Sequence, residues 1–205
     1  MSYHLYNRLG SGGFVVEAAL TLADADFGLT ELDSTVGTPL PKSFRETNPW
    51  GQVPTLILPD GTKMTESTAI LIHLAACFPE KELAPAPGTS DHAYFLRWTV
   101  FAGVNLYESV VRRGYPFRFT DDDEGHKAIR TAAIRRMGEA LLVIEGHIKG
   151  PFLLGENMSL ADIYIAMFFI WHRGEIDAPR LFALTNKVRS DRAIGPIWRR
   201  HFGER

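Results

Sequence analysis

The hydrophobic pattern changes its period near residue 80. Before that point apolar positions come in short runs broken by glycine and proline: His4-Leu5-Tyr6 predicts a strand, Gly10-Ser11-Gly12-Gly13 a loop, and Phe14 to Leu22 a first helix. Leu29 to Asp33 reads as a weaker second strand, and Thr38 to Asn48, with prolines at 39 and 41, as an irregular stretch. Thr55-Leu56-Ile57-Leu58 is a strand, Pro59-Asp60-Gly61 a hairpin turn, and a further strand leads into the apolar helix around Ala69-Ile70-Leu71-Ile72-His73-Leu74. The order β-α-β then β-β-α needs a mixed sheet with helices packed on it, the order of a thioredoxin-like domain.

Pro79, Pro85 and Pro87 interrupt this pattern, and prolines so close together continue neither helix nor sheet. Beyond them helical spacing dominates, over Ala93 to Arg113, Gly125 to Lys149, Leu160 to Arg173 and, more weakly, from Pro179 onward. Ser159 predicts the start of the third of these: Asp162 stands where a capping box needs it, with Met158 and Ile163 as the hydrophobic staple. The fold class expected is α+β. A thioredoxin-like domain spans 1–79, a linker 80–90, and an all-α helical bundle 91–205.

Composition narrows the function without naming it. A chain of 205 residues with 45% hydrophobic content supports a sizeable core, and a net charge of −2 offers no electrostatic case for nucleic acid or an anionic membrane. Basic clusters such as Arg135-Arg136 and Arg199-Arg200-His201 read as solvated faces. No apolar run is long enough to span a membrane, and Met1-Ser2-Tyr3-His4 lacks the signature of a secretion signal, so a soluble cytoplasmic protein is expected. The single Cys77 forms no internal disulfide and is expected to be a buried structural thiol; without a Cys-x-x-Cys pair, dithiol redox chemistry is excluded. The seven histidines show no metal-ligand spacing, so no metal site is expected. The sequon Asn157-Met158-Ser159 is read as part of the helix cap.

Two segments carry candidate chemistry. Asn48-Pro49-Trp50-Gly51-Gln52-Val53-Pro54-Thr55-Leu56 places a proline at the mouth of a strand, where its missing N–H is tolerated. Thr65-Glu66-Ser67-Thr68 opens a helix, with Thr65 or Ser67 as cap. Helix N-termini attract carboxylates, Glu66 attracts an ammonium, and an open strand edge pairs with an extended backbone. Together they fit a zwitterionic peptide.

With Met158-Ser159-Leu160-Ala161-Asp162-Ile163 downstream, these segments resemble the cytosolic glutathione S-transferase family in order, spacing and length, over essentially the whole chain. The resemblance implies a cis Val53-Pro54 bond that turns the Val53 N–H and C=O outward toward the cysteinyl part of glutathione. It implies that Glu66 and Ser67 bind the γ-glutamyl end, and that Gln52 and Lys42 meet the glycine carboxylate. Glutathione is then a cosubstrate, with no permanently bound cofactor. Its thiolate would be stabilised by Ser11, in the loop after the first strand, or alternatively by Tyr6 or by backbone N–H groups. Gly12 stands where one bacterial class has a cysteine, which disfavours mixed-disulfide chemistry. A hydrophobic electrophile would lie between the domains, with Trp98, Phe101, Tyr107, Tyr115, Phe117 and Phe119 as candidate wall residues and Asn105 either reaching the site or facing solvent. The implied activity is a detoxifying transferase, working as a homodimer. Glutathione-dependent isomerisation, peroxide reduction or dehalogenation, and a non-catalytic binding module, remain as alternatives. A dinucleotide reading of Gly10-Ser11-Gly12-Gly13 with Asp33 is poor, because Val15 stands where the third glycine belongs and no further βαβ unit follows.

Overall fold

The computed structural model describes residues 2–33 and 40–204. Of the stretch expected to be irregular, Thr38 and Pro39 lie outside the described residues, and Lys42–Glu46 forms a tight helical turn. The chain divides into two compact units, one made of Met1–Ala86 together with Arg189–Arg205, the other of Pro87–Val188.

The first unit holds the strands β1 (Tyr3–Asn7), β2 (Phe27–Glu31), β3 (Thr55–Ile57) and β4 (Lys63–Met64), in the spatial order β2-β1-β3-β4. β1 pairs with β2 in parallel and with β3 antiparallel, with Tyr6 opposite both Thr30 and Thr55. The β3–β4 pair is antiparallel, closed by a turn in which Asp60 accepts the Thr62 N–H at 2.8 Å. A parallel β1–β2 pair needs a crossover, and the helix α1 (Gly13–Leu22) supplies it. α1 is apolar on every side and buried from Gly13 to Leu20, as a helix hydrophobic all round must be. Its one buried charge, Glu17, therefore requires partners.

The helix α2 (Ser67–Cys77) follows β4 and buries Ile70, Leu71 and Leu74. Its start differs from expectation: neither Thr65 nor Ser67 occupies the cap position, which falls to Glu66 at φ 63°, and Glu66 makes no side-chain cap bond. Cys77 also departs from the expected burial. It continues the Ile70–Leu74 stripe one turn past the last buried residue and is exposed, with Sγ 3.4 Å from His73 Nε2.

In the second unit α3 (Ser90–Phe101) runs through a π-helical turn at Ala102–Tyr107 into α4 (Glu108–Gly114), so the helix expected over 93–113 is continuous but underwound at its middle. α5 (Gly125–Glu145) is the amphipathic member, burying Met137, Leu141 and Ile144 and exposing its arginines. The central α6 (Leu160–Trp171) is buried from Leu160 to Phe168. Its capping box is present: the Ser159 N–H and hydroxyl both donate to Asp162 Oδ2 at 2.8 Å, and Asp162 Oδ1 accepts the Leu153 N–H at 2.7 Å. Burial pushes the Asp162 pKa up, against the pull of these hydrogen bonds.

The weak pattern after Pro179 resolves into α7 (Pro179–Ser190) and α8 (Ile194–Phe202), separated where Asp191 accepts the Ala193 and Ile194 N–H groups at 2.8 and 3.0 Å. α8 belongs to the first unit. Trp198 and Phe202 meet Phe14 of α1 at ring distances of 5.5 and 4.9 Å, edge-on, the arrangement aromatic quadrupoles favour. The expected fold is observed: a four-stranded sheet with helices, then a helical domain.

Candidate functional site

Strand directions gather the candidate residues of the first unit at one end of the sheet. β1 ends where β3 begins, because the two are antiparallel and Tyr6 faces Thr55. β4 is antiparallel to β3 and so ends there as well. Three connections therefore open at the same edge: the 8–12 loop carrying Ser11, the approach to β3 carrying Gln52, Val53 and Pro54, and the start of α2 with Glu66 and Ser67. Both α1 and α2 present their N-termini there, a positive field suited to an anion.

The Val53-Pro54 bond is cis. Among the described residues, neither the N–H nor the C=O of Val53 takes part in a backbone hydrogen bond. The approach to Val53 is held by a residue that the sequence offered without a role. Asn48 is buried; its Nδ2 donates to the Gln52 carbonyl at 2.8 Å and to Thr55 Oγ1 at 3.2 Å, while its Oδ1 accepts the Trp50 N–H at 3.0 Å. A buried asparagine satisfied on both sides fixes a loop as a short strand would. The Asn-Pro-x-Gly spacing was the signal available for it.

Ser11 is buried, and its hydroxyl is engaged twice. It donates to Asn7 Oδ1 at 3.0 Å and accepts the Gly13 N–H at 3.2 Å, so it ties the first residue of α1, whose N-cap is Gly12, to the end of β1. Asn7 Oδ1 also accepts the Arg8 N–H at 2.7 Å, which fixes the orientation of the amide. Tyr6 lies on the other face of β1, since alternate residues of a strand point oppositely, and its ring packs on Phe44 at 5.5 Å. The structure thus brings Ser11 together with Asn7 and sets the Tyr6 ring beside Phe44.

Glu66 and Ser67 stand at the first turn of α2, Ser67 buried. Glu66 is held at positive φ, a backbone region that costs a non-glycine residue about 1–3 kcal/mol and that clusters at ligand clamps. No sequence pattern announced it. Lys42 is exposed at the start of the Lys42–Glu46 turn, and Gln52 is half-buried.

The aromatic wall candidates all lie in the second unit and separate into two groups. Trp98 is core, against Phe101 and His147, and Tyr107 packs on Phe168 and Trp171. Phe117 and Phe119 are exposed, with the Arg112 guanidinium over Phe119 and that of Arg118 over Tyr115. Asn105 donates to the Phe101 carbonyl at 3.1 Å within the π-helical turn and lines a groove of about 380 Å³ with Val104, Glu108 and Arg112. Among the described residues no cluster of metal-ligating side chains occurs, and no helix is long and apolar enough to cross a membrane.

Comparison with known proteins bears on the same elements. Residues 1–76 match the glutathione S-transferase N-terminal domain, and residues 110–179 the C-terminal domain. The chain is 27% identical over 172 residues to the uncharacterized GST-like protein YncG of Escherichia coli K12, covering 83% of this chain and 82% of that one. It is 30% identical over 173 residues to the glutathione S-transferase-like protein LUC7 of a Fusarium species, covering 82% and 76%. A sphingomonad glutathione S-transferase, solved in complex with glutathione, superposes with a TM-score of 0.79 at 28% identity over 95% of this chain and 96% of its own. The two matched domains, in the order and positions of the two folded patterns, show that this chain belongs to the glutathione S-transferase family.

Proposed function

We propose that this protein binds glutathione at the sheet edge formed by Val53, Glu66 and Ser67 and activates its thiol for attack on a hydrophobic electrophile. The observation that carries the reading is the convergence of an unpaired Val53 backbone and two helix N-termini at one edge. The related sphingomonad enzyme's complex with glutathione supports it. Val53 pairs with the cysteinyl backbone, Pro54 keeps that edge open, Glu66 takes the γ-glutamyl ammonium and Ser67 its carboxylate. Gln52 and Lys42 meet the glycine end.

The thiolate needs a source of stabilisation. An ordinary thiol has a pKa of about 8.5, and each unit of lowering requires about 1.4 kcal/mol of preference for the anion. The α1 N-terminus supplies roughly 0.3–1 kcal/mol, and a hydroxyl donating to a charged sulfur roughly 1.5–3 kcal/mol. Ser11 must exchange its bond to Asn7 to make that donation, giving back about 1 kcal/mol. The balance lowers the thiol pKa by about one to two units, enough to populate thiolate at neutral pH. Tyr6 is the alternative donor.

The engagement of the Ser11 hydrogen with Asn7 favours a second reading, a binding module that holds glutathione without activating it. Retention on immobilised glutathione, followed by conjugation of an aryl halide, separates the two. Retention with turnover that falls in Ser11→Ala and not in Tyr6→Phe supports the transferase. Retention without turnover on aryl halide, isomerisation, peroxide or haloalkane substrates supports the module, and no retention refutes both. Light scattering on the same preparation reads the proposed homodimer, and a monomer contradicts it. A protein using reduced glutathione belongs in the cytoplasm, where its single Cys77 stays a thiol.

A further inference from the structure

A buried polar cluster joins α8 to the Ser11 loop, and no motif pointed to it. His201, in the last turn of α8, has a fully buried side chain. Its Nδ1 lies 3.2 Å from the Gly10 N–H, an obligate donor, so Nδ1 is the acceptor and the ring proton sits on Nε2. Nε2 is 3.1 Å from Glu17 Oε2 and donates to it. The Asn7 Nδ2, 3.4 Å from the same nitrogen, is then a packing neighbour rather than a hydrogen-bond partner. Arg200, also on α8, pairs with Glu17 and with Glu31 of β2. Burial alone would raise the Glu17 pKa; the hydrogen bonds from His201 and Arg200 outweigh it and hold the carboxyl below its ordinary value. Gly10 has φ 71°, a left-handed conformation that glycine adopts without steric cost, and its N–H is turned to His201 Nδ1.

We propose that His201 is a positioning residue for the thiol-activating loop, its imidazole holding Gly10 on one side and Glu17 of α1 on the other. The C-terminal helix thereby fixes the distance between the Ser11 hydroxyl and the α1 N-terminus, the two groups aimed at the sulfur. The groups facing the imidazole are Glu17 from α1, Asn7 from β1, the Gly10 N–H from the loop and its own neighbour Arg200. This inference rests on the reading that glutathione's thiolate forms beside Ser11.

The two bonds of the ring can be removed separately. His201→Asn keeps an acceptor in the place of Nδ1 for Gly10. His201→Gln keeps a donor in the place of Nε2 for Glu17 and leaves Gly10 without a partner. Ultraviolet absorbance of the bound thiolate across pH, glutathione affinity by calorimetry, and amide hydrogen exchange at Gly10 are measured on both, with His201→Ala as reference. The expected result is a bound-thiol pKa about one unit higher in His201→Gln and His201→Ala, a tenfold loss of thiolate at a pH well below it, with wild-type values in His201→Asn. Glutathione affinity should change by less than about threefold, under 0.7 kcal/mol. Gly10 exchange should accelerate in the same two variants. Equal behaviour of His201→Asn and His201→Gln, or loss of affinity without a shift in thiol pKa, overturns the proposal. A wild-type protein that binds glutathione without thiolate absorbance refutes the functional reading and any thiolate role of His201, while the exchange at Gly10 still reports whether the clamp exists.

Discussion

Asp162 is the buried carboxylate whose removal should cost the second unit most. It is fully buried and accepts three hydrogen bonds, from the Leu153 N–H, the Ser159 N–H and the Ser159 hydroxyl, so one side chain ties the loop before α6 to the helix start. In Asp162→Ala both backbone N–H groups lose their acceptor in a site closed to water. Each buried donor left unsatisfied costs roughly 1–3 kcal/mol, so the total should be about 3–5 kcal/mol. Asp162→Asn keeps one carbonyl oxygen and orphans fewer donors, for about 2–3 kcal/mol. Ser159→Ala removes only the hydroxyl, leaves both N–H groups paired, and should cost about 1 kcal/mol. Against a domain stability of about 5–15 kcal/mol the first change is severe and the last mild. Urea unfolding followed by far-ultraviolet circular dichroism measures the series, with glutathione retention as the control that the first unit is intact. The reasoning is refuted if Ser159→Ala costs as much as Asp162→Ala, or if Asp162→Ala costs less than about 1 kcal/mol.

Two further outcomes test the first unit. Glu17→Gln should destabilise most near neutral pH: with a folded pKa below the unfolded value of about 4.3, the carboxylate's contribution is present above that value and is lost as pH falls through the folded one. Urea midpoints of wild type and Glu17→Gln should therefore converge in acid, and a gap that widens there contradicts the assignment. Gly13→Ala should be costly because its Cβ would stand 1.7 Å from Asn7 Oδ1, an atom already fixed by Ser11 and Arg8. A loss of about 3 kcal/mol is expected from such overpacking, and wild-type stability with an unshifted Asn7 amide resonance would show that the loop yields.

Local signals made part of the site legible. Val53-Pro54 before the apolar run Leu56-Ile57-Leu58, and Glu66-Ser67 before Ala69-Ile70-Leu71, announce a strand mouth and a helix start whatever surrounds them. The rest depends on which segments meet. Sequence reading makes Ser11 a candidate donor to sulfur; only the fold adds that Asn7 and the Gly13 N–H lie within reach of the same hydroxyl. Sequence reading gives Asn48 no role, though three hydrogen bonds make it the brace of the Val53 approach. Cys77 is expected inside because free cysteines are usually buried and it ends an apolar helix, yet it is exposed one turn beyond Leu74, the last buried residue of α2.

The sequence by itself determined the main strands and helices, their order and the family, since periodicity, prolines and caps act over a few residues and survive without context. It set the Ser159–Asp162 box as well, because both partners lie within one helical turn. Only the tertiary structure decided that α8 returns to the first unit, that Arg199-Arg200-His201 is not simply a solvated face, and that Glu17 receives both Arg200 and His201. Those partners stand more than 180 residues apart in the chain, and no local rule relates them. Their meeting follows from burial: a charge on a helix enclosed on all sides must be paired, and the residues able to pair it are whichever ones the fold brings there.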